Sequence, residues 1–402
     1  MDSRFLSKRV LEIAPSPSVA ANALVMQLRA EGRDIVNFTV GEPDFTTPEH
    51  ILEAARSAMA AGDTHYTSTF GTPTLLKAIV EKLARDNGLN YSLKEVVAAA
   101  GGKHIIYEAL AATLNSGDEV VVHTPYWVSY PDITKLNGGT PVIIPGNQAN
   151  GFKLTPTELE QAITANTKWV ILNTPNNPTG AVYTRKELEG LAAVLRAHEH
   201  VLVLSDEIYE HFVYNGEGHV SFVSAAPDLK DRILIVNGAS KGYAMTGWRL
   251  GFGAGPQWLI AAIGKLLSQT ITCPSSISQA AAVAAFAGDQ RPVFKMRDTY
   301  VERRALMLAR LSEIPGLDIT PPDGAFYVFA NIQALLGKTT PAGKMLDSEG
   351  EVVKYWLESA GVATVMGAAY GMSPYVRLSF ASSSAMIEEG CARIKKACAD
   401  LV

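Results

Sequence analysis

The chain has 402 residues, a formal net charge of −5, and 47% hydrophobic and 19% charged residues. That composition belongs to a globular protein with room for two or three domains' worth of core and no basic footprint for nucleic acid. No apolar run approaches the roughly 20 residues of a membrane helix, the N-terminal MDSRFLSKRVLEIAPS lacks the apolar core of a secretory signal, and three cysteines (Cys273, Cys391, Cys398) make neither a disulfide framework nor a metal knuckle, so a cytoplasmic, metal-free protein is expected.

In chain order, the first forty or so residues carry no strong pattern and are free to join a later domain. From about residue 94 short apolar runs alternate with turns rich in Gly, Pro, Asn and Ser and with amphipathic helices such as HIIYEALAATL and RKELEGLAAVLRAHE. The runs are EVVAAA, EVVVHT, TPVIIP, KWVILN, HVLVLSD, RILIVN and WRLGFGAG. Continuous apolar strands of this kind are buried on both faces, so the pattern predicts an α/β domain whose mostly parallel, seven-stranded sheet is sandwiched by helices. After the charged helix PVFKMRDTYVERRALMLARL the texture changes to isolated strands, GAFYVFA and YVRLSFA, which suggests a smaller α+β domain. The division expected is 1–46 as an N-terminal arm that joins the small domain, 47–295 as the large domain and 296–402 as the small one. GKTTPAGKMLDSEGE reads as a surface insertion.

In an open parallel sheet ligands bind beyond the carboxyl ends of the strands, so the residues that follow each run matter most. EVVAAA ends in GGK: Gly101 and Gly102 allow close backbone approach, and a helix N-terminus behind them offers unpaired N–H groups to an anion. EVVVHT is followed by PYW, where Trp127 offers a face for stacking or else a core side chain. KWVILN ends in TPNNPTG with Asn176 and Asn177, and VLVLSDEIYEHF places Asp206 at a strand end and Tyr209 just after it; an isolated Asp there also suits a helix N-cap. RILIVNGASK brings Lys241 to the same edge among small residues, where partial desolvation makes a nucleophilic amine. Ser240 and Arg249 suit a phosphate. In YVRLSFA, Arg377 alternates with Val376 and Leu378 and so lies on the face opposite the apolar one, either exposed on an edge strand or clamping a carboxylate. Together these are the parts that hold pyridoxal phosphate and an amino acid.

The motifs GEPDF at 41, HYTSTFG at 65, GGK at 101, PYW at 125, NTPNNPTG at 173, SDEIYE at 205, SKGYAMTGWRLG at 240, GAFYVF at 324 and VRLSFA at 376 run in one family's order. The chain closely resembles the class I/II aminotransferases of the fold type I pyridoxal-phosphate enzymes, and within them the bacterial aspartate aminotransferase branch, over essentially its whole length. The resemblance implies Lys241 as the Schiff-base lysine, Asp206 on the pyridinium nitrogen, Tyr209 and Asn177 on the phenolic oxygen, and Trp127 stacked on the ring. It implies Gly102, Lys103, Ser240 and Arg249 at the phosphate, with Tyr66 reaching it from the second subunit of a homodimer. Arg377, Asn177 and the backbone at Gly41, with Trp127 beside them, are implied at the substrate α-carboxylate.

The implied reaction moves the amino group of an L-amino acid, aspartate or glutamate first among them, to a 2-oxo acid in ping-pong fashion. For the side-chain carboxylate the branch uses the GGK lysine, here Lys103, and N-terminal hydroxyl residues, matched here by Ser16 and Ser18. Prephenate-accepting members carry an arginine where this chain has Ala14, and a common glutamine after GGK is replaced by His104. A carbon–sulfur lyase would share every cofactor residue, and other amino donors remain open. GFGAG lacks the third glycine and the acidic residue of a dinucleotide fingerprint, which argues against a nicotinamide enzyme.

Overall fold

The computed structural model describes residues 3–15 and 17–402. A short strand, β1 (Val36–Asn37), precedes the large sheet, whose strands are β2 (Val96–Ala99), β3 (Glu119–His123), β4 (Thr140–Ile144), β5 (Thr167–Asn173), β6 (Leu202–Asp206), β7 (Ile233–Gly238) and β8 (Gly251–Ala254). They form one seven-stranded sheet in the order β2-β8-β7-β6-β5-β3-β4. The neighbours β4, β3, β5, β6 and β7 run parallel, and β8 alone is antiparallel to both β7 and β2.

Alternation along each strand explains the unbroken apolar runs. Val170 and Leu172 face one core while Trp169 and Ile171 face the other, and Val203 and Leu204 divide in the same way. With both faces covered by helices no position along the strand tolerates a polar residue until the strand ends, so polar side chains gather at the ends. Truncating one of the buried apolar side chains, Leu204→Ala for example, is expected to cost about 2–5 kcal/mol. The helices are set by local chemistry: Thr184 caps Arg185–Ala197 through the amide of Glu187, whose carboxylate reaches back to the Thr184 amide, and Thr155 with Glu158 does the same for Pro156–Ala162.

A second sheet holds β9 (Asp318–Ile319), β10 (Tyr327–Asn331), β12 (Val365–Met366) and β13 (Tyr375–Ser379) in the order β12-β13-β10-β9. A further strand, β11 (Val362–Ala363), pairs in parallel with β1, so the N-terminal segment is stitched to the C-terminal part of the chain. The helix Arg291–Ser312 precedes this region.

One expectation changes here, and another gains detail. Arg377 is not on an exposed edge, because β13 is an inner strand and the arginine is only 2% exposed. The segment read as a surface insertion is anchored at both ends. Leu346 and Glu349 are buried, Thr339 exchanges two backbone hydrogen bonds with Val402, and Glu349 accepts the amides of Ala368 and Tyr375.

Candidate active site

A cavity of about 450 Å³ opens beyond the carboxyl ends of the parallel strands, and Trp127, Asn177, Asp206, Lys241, Arg249 and Arg377 all reach it. Gly41, Gly102, Lys103, Tyr209 and Ser240 line the same space, so residues from distant parts of the sequence converge on one site.

Lys241 sits three residues past the end of β7. Part of its side chain touches the cavity, but its ammonium is enclosed and donates to the carbonyl of Gly41 at 2.5 Å. That burial brings its pKa down to about 8, against an opposing pull from Glu42 and a further lowering by Arg377 and Arg249. Asp206 ends β6, and no helix follows it, so it is not an N-cap. Its Oδ2 accepts the Tyr130 phenol at 2.7 Å and its Oδ1 the Ile208 amide at 3.3 Å. Burial raises its pKa to about 6, and these two donors work against the rise.

The putting together of the phosphate end rests on two glycines. Gly101 has φ +97°, and a Cβ there would stand 2.6 Å from Arg249 Nη2. A Cβ at Gly251 would meet the Gly102 amide at 2.3 Å, so the glycines of β8, which resembled part of a dinucleotide loop, serve to seat the N-terminus of the helix Gly102–Thr113. Arg249 is held by the carbonyls of Thr246 and Ala100 at 3.1 and 3.2 Å. Ser240 is buried beside Lys241. Unpaired amides, a hydroxyl and a guanidinium thus share one corner, which is a donor set for a phosphate.

At the opposite end, Arg377 Nη1 donates to Asn177 Oδ1 at 3.0 Å and Nη2 to the Thr39 carbonyl at 2.6 Å. Its Nε is buried without a hydrogen-bond partner among the described residues, and its guanidinium lies 4.4 Å from the centre of the Tyr327 ring. A planar cation with donor capacity left over fits a carboxylate. Lys103 Nζ stands 4.8 Å from the centre of the Trp127 ring at the mouth of the cavity.

Among the predicted residues described with their side chains, Tyr66 does not line the cavity; it is 86% exposed. Ser16 lies outside the described residues, and Ser18 falls in the first turn of the helix Pro17–Ala30, whose Val19 and Asn22 do line the site. His104 turns from the cavity to pair with Glu108 at 2.9 Å, which also accepts Thr270 at 2.8 Å. Sequence reasoning missed Tyr130 and Tyr327, the latter bonded to Tyr209 through their hydroxyls at 2.8 Å. Tyr327 lies within a motif already singled out, GAFYVF, and Tyr130 three residues after Trp127, but nothing local marks either as facing the cavity.

The family model for aminotransferase class I and II matches residues 33–394. An aspartate/prephenate aminotransferase of Cereibacter sphaeroides is 46% identical over 99% of each chain. An aspartate aminotransferase of Rhizobium meliloti is 45% identical over 98% of this chain and 96% of its own. Among solved structures, an aspartate aminotransferase from Rhizobium meliloti superposes with a TM-score of 0.96 at 45% identity, covering 99% of both chains. The Thermus thermophilus aspartate aminotransferase with maleate gives 0.92 at 40% identity over 98% of this chain and all of its own. The mostly parallel sheet, the lysine and carboxylate at its strand ends and this full-length similarity lead to one conclusion: the chain belongs to the aminotransferase class I and II family and is an aminotransferase.

Proposed function

We propose that the protein transfers the amino group of aspartate or glutamate to a 2-oxo acid, using pyridoxal phosphate held in the cavity described above. The observation that carries this reading is the placement of Lys241, Asp206 and Arg377 around one cavity, with a phosphate-type donor set at one end and a buried guanidinium at the other. The donors present fit the cofactor: the cradle of Gly102, Ser240 and Arg249 suits its phosphate, Trp127 its ring face, Asp206 its ring nitrogen, and Tyr209 and Asn177 its phenolic oxygen. When bound, pyridoxal phosphate supplies an aldehyde that takes up the amino group and a ring that accepts the electrons released at Cα.

The chain's own residues do the rest. Ionised Asp206 holds a proton on the ring nitrogen. Lys241, with its lowered pKa, acts as the amine and moves the proton from the substrate Cα. Arg377, with Asn177 and the backbone at Gly41, grips the α-carboxylate and fixes Cα over Lys241. Lys103 is proposed for the second carboxylate of a dicarboxylic substrate, with Ser16 and Ser18 proposed as further hydroxyl donors; the relatives named above as aspartate aminotransferases, one of them solved with maleate, support that choice. Ala14 stands where the resemblance implies an arginine for prephenate acceptance, which favours dicarboxylates over prephenate.

A homodimer is part of this reading, with Tyr66 of each subunit at the other's phosphate, as is a cytoplasmic setting and the division at 46/47 and 295/296. No helix among the described residues is long and apolar enough to cross a membrane. Steady-state assays with aspartate and 2-oxoglutarate test the proposal: oxaloacetate and glutamate should form in equal amounts, and failure of both to form, with pyruvate and ammonia released instead from a cysteine S-conjugate in the absence of an acceptor, would refute it.

A further inference from the structure

Next to the active-site cavity lies a second, much smaller chamber of about 20 Å³. Tyr130 and Asn173 line both this chamber and the active-site cavity, and so form the wall between them. Both also hold Asp206: the Tyr130 phenol donates to Oδ2 at 2.7 Å, and Asn173 Nδ2 donates to the Asp206 carbonyl at 3.0 Å. His123, the last residue of β3, also lines the chamber, and its Nε2 is buried with no hydrogen-bond partner among the described residues. Tyr183 also lines the space; its hydroxyl accepts the Leu154 amide at 2.7 Å, which leaves its own proton to donate.

A buried imidazole nitrogen and a spare phenol proton are costly to leave unmade. A single water requires roughly 10–15 Å³ and two or more polar partners, and this chamber offers both. We propose that one ordered water sits in the chamber on His123 Nε2 and the Tyr183 hydroxyl, and that it backs Tyr130 as the positioning residue that holds the Asp206 carboxylate toward the cavity. This rests on the functional reading above. The titratable groups that act on Asp206 are Lys241, Glu207, Tyr209 and Tyr130, and His123 acts only through the water and Tyr130.

The test compares cofactor-loaded wild-type enzyme with Tyr130→Phe, His123→Phe and the double variant. Tyr130→Phe should lower kcat for aspartate about tenfold with KM little changed, the effect of one hydrogen bond to a charged group. It should also weaken cofactor binding and move the acid limb of kcat/KM to higher pH, because Asp206 loses a donor that favours its ionised form. His123→Phe should move the limb in the same direction by less, and the double variant should match Tyr130→Phe alone, since both act in one chain of contacts. His123→Leu carries the same expectation should the phenylalanine variant fail to fold. A high-resolution crystal structure of the loaded wild type should show one water within hydrogen-bond distance of His123 Nε2. An unmoved acid limb in Tyr130→Phe, additive effects in the double variant, or an empty chamber would each overturn the inference. Turnover of aspartate by the wild type tests the functional reading separately, so the two failures are distinguishable.

Discussion

The enclosure of Lys241 makes a quantitative prediction about the protein without its cofactor. An ordinary lysine, with a pKa of 10.5, is neutral in about one molecule in 3,000 at pH 7, whereas a pKa of about 8 makes it neutral in about one in ten. The gain, on the order of 300-fold, is the fraction of amine ready to attack an aldehyde. Competitive labelling of cofactor-free protein with an amine-acylating reagent, followed by mass spectrometry of the Lys241 peptide, reads this titration directly. The labelling rate should rise through pH 8 and be nearly level by pH 10, while surface lysines are still rising. Glu42 opposes the lowering, so Glu42→Gln should shift the midpoint to lower pH. A Lys241 midpoint near 10.5, or one moved upward by Glu42→Gln, would refute the argument from burial.

Other consequences are more local. Arg377→Lys keeps the charge but loses the fork, and should lower kcat/KM for aspartate by about 10- to 100-fold, one charge-assisted hydrogen bond, with cofactor affinity unchanged; steady-state kinetics and cofactor titration check both halves. Lys103→Ala should lower kcat/KM for aspartate at least about tenfold while leaving alanine nearly untouched, since only the former has a second carboxylate; equal losses on both substrates would remove Lys103 from specificity. Tyr66→Phe should raise the cofactor dissociation constant about tenfold through loss of one hydrogen bond to a charged phosphate, and unchanged affinity in fluorescence titration would count against a shared site.

Sequence pattern exposed the large sheet because its parallel strands are buried on both faces, so that Trp169 to Leu172 must all be apolar. It exposed Asp206 and Lys241 for the complementary reason, since a polar residue ending such a run is conspicuous. Arg377 was harder to place. Alternation in YVRLSFA assigns a face but not what covers it, and its partners, Asn177 and Thr39, are 200 and 338 residues away. Tyr130 donates to Asp206 across 76 residues and resembles an ordinary helix aromatic in the sequence. The segment around Leu346 reads as a surface loop by its Gly, Pro and Lys content, and residues 341–345 are exposed, but the backbone pairing of Thr339 with the chain's last residue leaves no mark in the sequence.

The most direct test of the central claim is the half-reaction. Cofactor-loaded enzyme mixed with aspartate, with no 2-oxo acid present, should lose the visible absorption of the aldehyde form and release one oxaloacetate per active site, and adding 2-oxoglutarate should restore the original spectrum. A spectrum unmoved by either aspartate or glutamate, or one that aspartate bleaches and 2-oxoglutarate fails to restore, would contradict the account.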